Sequence, residues 1–276
     1  MINATKAFII GYPVTHSKSP AIHRYWLGYH GLEGQYTPCE VKPGGLKHFI
    51  DKYVRQGQYI GGNITMPYKQ DIMDMVDKLE ENACAIGAVN TLWFEGDTLV
   101  GGNTDAFGFS RNIELAAPEM VRKKAMVLGA GGAARAIVYA LIQMGFHHLY
   151  LCNRSIEKAQ SLSQHFTSSP VSINVVPWSQ RNDVLPHQDL LVNSTSLGMV
   201  GHPEIDICLD RLPKHAVVSD IVYHPLETKL LAAARYRGLT AVDGLGMLLH
   251  QAVPGFARWF GVKPMVDDEL RRIVLS

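Results

Sequence analysis

Between Leu128 and Arg135 the chain reads Gly129-Ala130-Gly131-Gly132-Ala133-Ala134, a G-x-G-x-x-A pattern. Such spacing permits a tight turn at Gly129, brings backbone N–H groups close to a pyrophosphate at Gly131, and lets a helix pack closely on its strand at Ala134. The run Ala125–Leu128 before the pattern reads as a strand. Behind it, Ala133, Ala136, Ile137, Ala140, Leu141 and Met144 recur at helical spacing. Strand, glycine turn and helix N-terminus in succession form a dinucleotide-phosphate site; the plain alternative is a glycine-rich turn needed only for packing. The end of the next strand, Leu149–Cys152, selects the nucleotide. An NAD site carries Asp or Glu there for the ribose 2′-hydroxyl. This chain has Asn153-Arg154-Ser155, with Lys158 behind and no acid before Glu157. A guanidinium pairs with a 2′-phosphate that a carboxylate would repel, so these residues point to NADP.

A second polar group lies in the first 105 residues. Ser17 and Ser19 stand in His16-Ser17-Lys18-Ser19-Pro20, and Asn63, Thr65 and Lys69 in Asn63-Ile64-Thr65-Met66-Pro67-Tyr68-Lys69. Asn90 follows Gly87-Ala88-Val89, and Asp105 ends Gly102-Asn103-Thr104-Asp105. Each follows a strand pattern, where open α/β sheets bind ligands. Hydroxyls, amides and a Lys/Asp pair suit a polyhydroxylated carboxylate. Every residue also has a bland reading. Asp105 caps a helix starting at Ala106 as readily as it binds a ligand, and Ser19 suits the cap of a helix starting at Pro20. Gln251 borders the apolar stripe Leu245, Leu248, Leu249, Ala252 and Phe256, and Arg135 reads as solvent-facing. A helix from Pro67 to about Leu79 would put Lys69 in its first turn, where the helix dipole disfavours a cation. Local stability therefore does not account for Lys69.

The elements that must hold these residues alternate. Strands are expected at Ala7–Ile10, Tyr36–Val41, Tyr59–Ile64, Ala125–Leu128, Leu149–Cys152, Ile173–Val176, Leu190–Asn193, Ala216–Asp220 and Thr240–Val242, and a hairpin over Asn90–Gly101. Helices are expected from Pro20, at Leu46–Val54, Ala106–Leu115, Ala133–Met144, Glu157–Phe166 and Leu226–Arg235, and last at Leu245–Phe260. This is the α/β class with parallel sheets. A chain of 276 residues predicts two domains at roughly 150 residues each. A charge balance of +1, with no basic block, speaks against nucleic acid. No stretch of 18 apolar residues exists to span a membrane, and Ala7–Ile10 is too short for a signal-peptide core. Cys39, Cys84, Cys152 and Cys208 lie far apart, as thiols of a reducing compartment do. No metal is expected: His23 and His30 would lie about 10 Å apart along a helix, and the adjacent His147 and His148 diverge.

In order, the four substrate-half segments, Gly129–Ala134, Asn153-Arg154-Ser155 and Asp243-Gly244-Leu245-Gly246-Met247 closely resemble the shikimate dehydrogenase family, over about Ala7 to Gly261. The resemblance implies a Rossmann-type parallel-sheet NADP domain over 105–244 and a discontinuous α/β substrate domain over 1–104 and 245–276. It implies a cytoplasmic monomer or homodimer that reversibly reduces the small molecule 3-dehydroshikimate to shikimate, with NADPH, in aromatic amino-acid biosynthesis. Carried over by position, Ser17, Ser19, Thr65, Asn90, Asp105 and Gln251 are shikimate ligands, and Tyr223 lies near the substrate. Lys69 is the catalytic residue, assisted by Asp105. The cofactor residues are Gly129, Ala130, Gly131, Gly132, Ala133, Asn153, Arg154, Ser155, Lys158, Thr195, Ser196, Ile221 and Gly244. Ile221 stands where many members have Met, and Ser155 with Lys158 replaces a common Thr and Arg. Two rivals make different demands. An NAD-preferring quinate/shikimate dehydrogenase would want an acid near Asn153, and a non-catalytic ligand sensor would have no need of Lys69 and Asp105.

Overall fold

The computed structural model describes residues 5–276 and divides into two compact units, one ending at Thr104 and resuming over Leu249–Ser276, the other spanning Asp105–Leu248. In the first unit the chain runs β1 (Thr5–Gly11), α1 (Ser19–Tyr29), β2 (Gly34–Glu40), α2 (Leu46–Phe49, continuing as a π turn over Ile50–Val54), β3 (Gly61–Ile64), β4 (Lys78–Leu79), α3 (Glu81–Ile86), β5 (Thr91–Glu95) and β6 (Thr98–Gly102). The sheet order is β2-β1-β3-β5-β6-β4. Strand β1 pairs in parallel with β2 and β3, whereas β5 runs antiparallel to β3 and β6, the expected hairpin. Ala7-Phe8-Ile9-Ile10 is buried throughout because both faces of β1 are covered. Phe8 and Ile10 join a core with Ile50, Ile64 and Leu92 on one side, and Ala7 and Ile9 pack with Trp93, Val100 and Trp259 on the other.

The helix expected from Pro67 to Leu79 does not form. A turn over Met66–Gln70 leads into one stretch of 3₁₀ helix, Asp71–Met75, and Lys78–Leu79 becomes β4, paired with Val100–Gly101. The reason is tertiary. The Lys69 carbonyl, which would accept from Met73 in an α-helix, accepts the Val89 N–H at 2.7 Å, and Met73 N–H turns back to Gln70. Lys69 therefore lies in a turn, and the helix-dipole argument for it falls away.

The second unit contains α4 (Asp105–Ala116), β7 (Lys124–Leu128), α5 (Gly132–Gln143), β8 (His148–Asn153), α6 (Ile156–His165), β9 (Ser172–Pro177), β10 (Leu190–Asn193), β11 (Val217–Asp220), α7 (Lys229–Tyr236) and β12 (Thr240–Val242). Helix α8 (Gly244–Phe260) starts in this unit and ends in the first, which α9 (Asp268–Leu275) completes. The sheet order is β12-β11-β10-β7-β8-β9, and every pairing is parallel. The chain starts at the middle strand, winds out to β9, then returns to β10 and winds the other way. The winding reverses between β7 and β10, and sheets of this kind bind ligands beyond the carboxyl ends of the strands at such a point. Helix α7 begins three residues later than expected because the Thr228 side chain accepts the Leu231 N–H and caps it. Among the described residues no helix is long and apolar enough to cross a membrane, and no group of three His, Cys, Asp or Glu could hold a metal.

Candidate active site

The reversal point of the second unit is built from β7, β8, β10 and β11. Gly129 leaves β7 with φ +110, its N–H on the Cys152 carbonyl at 2.8 Å, and a Cβ there would lie 2.5 Å from Ser194 Oγ. The fold itself demands glycine at this position. Gly131 and Gly132 differ. Both are exposed, and a Cβ on either would meet nothing within 4 Å. No side chain caps α5. Packing does not require these two glycines, whereas a phosphate drawn against the first-turn N–H groups does. Ala130 and Ala133 flank the turn half-buried. Arg135, expected in solvent, is half-buried, and burial lowers its pKa.

At the end of β8, Asn153 Nδ2 donates to the Ser155 carbonyl at 2.8 Å, which folds the Asn153-Arg154-Ser155 corner back on itself. Arg154 and Lys158 are exposed at that corner and make no ion pair among the described residues. A 2′-phosphate fits such a corner. Beyond β10, Ser194 Oγ donates to the Leu128 carbonyl at 2.7 Å, and the Thr195 N–H and hydroxyl both donate to Asn193 Oδ1, at 3.0 and 2.7 Å. Ser196 is exposed. The Ile221 N–H donates to the Asn193 carbonyl, and a Cβ at Gly244 would collide with the Ile221 carbonyl, so helix α8 meets the end of β11 only through glycine. Burial raises the pKa of half-buried Tyr223.

Sequence reasoning missed the group beneath this loop. Asn193 Nδ2 donates to Asp220 Oδ1 at 2.9 Å, and Asp220 also accepts from the Val222 N–H and from Thr228 Oγ1 at 2.8 Å. Burial raises the Asp220 pKa against the lowering by these three donors. Asn193 and Asp220 are register partners on neighbouring strands, a pairing that no local motif announces.

In the first unit the polar residues gather at the same end of the sheet. Ser17 Oγ accepts the Ser19 N–H at 3.2 Å. Helix α1 already includes Ser19 and has no side-chain cap, so Ser17 shapes the turn, and the expected Ser19 cap does not form. Ser19 is instead buried. Thr65, half-buried, directly follows β3, and Lys69, also half-buried, lies in the turn beyond. Asn90, which immediately precedes β5, and Gln251 on α8 are buried. Asp105 is buried as the first residue of α4, at the start of the second unit.

An all-parallel sheet with open glycines at its reversal point and a free arginine at the end of its second strand defines a dinucleotide-dependent oxidoreductase of Rossmann type. Three family models match in chain order: the shikimate dehydrogenase substrate binding domain over residues 9–92, shikimate / quinate 5-dehydrogenase over 113–222, and the shikimate 5′-dehydrogenase C-terminal domain over 244–268. The chain belongs to the shikimate dehydrogenase family. The shikimate dehydrogenase (NADP(+)) of Nitrobacter hamburgensis is 50% identical over 269 residues, 97% of this chain and 93% of that protein. Among solved structures, the shikimate 5-dehydrogenase of Thermus thermophilus in complex with NADP(H) and shikimate matches with a TM-score of 0.84 and 33% identity, covering 98% of each chain. The quinate dehydrogenase of Corynebacterium glutamicum in complex with NAD matches at 0.90 and 31%, over 98% of this chain and 97% of that one.

Proposed function

We propose that the chain catalyses the reversible NADPH-dependent reduction of 3-dehydroshikimate to shikimate, as a step of aromatic amino-acid biosynthesis. Bound NADPH would supply the hydride delivered to C3 of the substrate, leaving NADP. The unit over Asp105–Leu248 holds it: Gly129, Ala130, Gly131, Gly132 and Ala133 surround the pyrophosphate, and Asn153, Arg154, Ser155 and Lys158 hold the 2′-phosphate. Thr195, Ser196, Ile221 and Gly244 line the nicotinamide end. The substrate's residues belong mainly to the other unit, Asp105 and Tyr223 excepted. Ser17 and Ser19 bind its carboxylate, Thr65, Asn90 and Asp105 bind ring oxygens, and Gln251 and Tyr223 complete the set. Lys69 gives its proton to the alkoxide forming at C3, and Asp105 keeps the lysine in a productive charge state. The protein works in the cytoplasm as a monomer or homodimer.

The observation that carries this reading is the pair of open glycines, Gly131 and Gly132, together with Arg154 unpaired at the β8 corner. The likeness to a quinate dehydrogenase favours quinate as a second substrate, while the lack of an acid beside Asn153 opposes NAD. Initial rates of the purified protein with shikimate and quinate, each crossed with NADP and NAD, test the assignment. Shikimate with NADP should be fastest. Preference for quinate with NAD would transfer the chain to the other activity.

A further inference from the structure

Asn193 is the last residue of β10 and Asp220 the last of β11, 0% and 1% exposed. Partners with no choice of role settle the direction of the bonds around them. Asp220 Oδ1 accepts the Val222 N–H at 3.0 Å, so that oxygen is an acceptor and Asn193 must turn its nitrogen to it, at 2.9 Å. The same nitrogen donates to the Leu197 carbonyl at 3.1 Å, a group that only accepts. At the other end of the amide, Asn193 Oδ1 accepts the Thr195 N–H and hydroxyl at 3.0 and 2.7 Å. Thr195 Oγ1 in turn accepts the Leu197 N–H at 3.1 Å. One side chain therefore holds the loop after β10 at both Thr195 and Leu197 and is itself anchored on Asp220. The Asn193 carbonyl accepts the Ile221 N–H at 3.0 Å, which ties the turn after β11 to the same residue. Strand pairing already joins β10 to β11. A carboxylate buried at their ends carries a desolvation cost that an apolar pair would not, so strand register does not account for it.

We propose that Asn193 and Asp220 are positioning residues for the cofactor: Asp220 orients the Asn193 amide, and the amide holds the Thr195–Ser196 loop in the shape that receives the nicotinamide end. This rests on the assignment of Thr195 and Ser196 to that end. The Asn153-Arg154-Ser155 corner is folded by its own bond and takes no part in this group. The half of the nucleotide that carries the 2′-phosphate is therefore bound independently of Asn193. Thr228 supplies an internal control, because its hydroxyl meets only the far oxygen of Asp220, Oδ2, at 2.8 Å.

The test is steady-state kinetics of the full-length protein with shikimate and NADP, together with inhibition by adenosine 2′,5′-bisphosphate, which carries the 2′-phosphate but no nicotinamide. Asn193→Ala should raise KM for NADP roughly 3- to 10-fold, the worth of one buried hydrogen bond, and lower kcat, since hydride transfer depends on alignment of the ring. The inhibition constant of the bisphosphate and KM for shikimate should stay within about 2-fold. A residue that merely stabilises the fold would not separate the nucleotide from its own fragment, and an equal rise for the bisphosphate would overturn the proposal. Asp220→Leu should raise KM for NADP and spare the bisphosphate in the same way, and serves if Asn193→Ala does not fold. Asp220→Asn, which keeps an oxygen towards Asn193 by turning its nitrogen to Thr228, should stay near the unsubstituted enzyme. Thr228→Val should lower stability without moving KM for NADP. If the double variant Thr195→Ala/Ser196→Ala raises KM for NADP while Asn193→Ala and Asp220→Leu do not, the positioning is wrong and the cofactor assignment stands. If that double variant leaves KM for NADP and kcat unmoved, the assignment of the loop fails and the proposal with it.

Discussion

His23 offers a test of the first unit's core that needs no substrate. It is fully buried on α1, stacked on Tyr36, with Trp26 edge-on at 5.8 Å and Phe256 at 5.8 Å. Neither ring nitrogen has a hydrogen-bond partner among the described residues, and burial lowers its pKa to about 3. In the unfolded chain a histidine titrates near 6.5. Between those two values the unfolded chain binds a proton that the folded chain refuses, so stability falls as pH drops below about 6.5 and is unaffected above it. One pH unit is worth about 1.4 kcal/mol, so at pH 5 the loss assignable to His23 is about 2 kcal/mol. His23→Phe keeps an aromatic ring in the box and removes the proton. Any cost of fitting the larger ring does not vary with pH, so the difference between the two pH profiles isolates the histidine. In urea unfolding the two proteins should run parallel above pH 7 and separate in the variant's favour by about 2 kcal/mol at pH 5. Parallel curves from pH 7 to pH 5 would refute the reasoning.

Three further outcomes follow from the second unit. Arg154→Ala should weaken NADP roughly 10- to 100-fold and barely affect NAD, since a charge-assisted contact is worth about 1.5–3 kcal/mol; equal losses would give the residue to adenine stacking. Gly131→Ala should leave the thermal midpoint nearly unchanged while raising KM for NADP, whereas Gly129→Ala, strained at positive φ and pressed on Ser194, should lower the midpoint itself. A melt that ranks the two the other way would sink the distinction. Thr228→Val removes both the α7 cap and one Asp220 donor, and should cost about 1–3 kcal/mol in chemical unfolding.

What the sequence revealed was what contiguous residues determine. Ala125–Ala134 carries strand, turn and helix in one run, and the strand–helix alternation that follows leads to the parallel sheet. The absent acid at Asn153 was equally local. The turn at Lys69 was hidden because its carbonyl is claimed by Val89, twenty residues on. The Tyr36–Asn63 and Asn193–Asp220 bonds each join residues 27 apart, which become neighbours only once the strand order is known. Helix α9 was readable and was missed: Asp267 precedes Asp268 and Glu269, a capping and dipole signal, and it does accept the Leu270 N–H. Ser19 shows the opposite error, a helix-start serine that lies buried within the helix and does not cap it.

Proton transfer by Lys69 is tested most directly by steady-state kinetics of Lys69→Ala with shikimate and NADP. If the lysine acts mainly in the transition state, kcat should fall by roughly 10²- to 10⁴-fold, with KM for shikimate changed far less. A variant with near-normal kcat would remove Lys69 from the chemistry and transfer the proton to Tyr223 or a bound water.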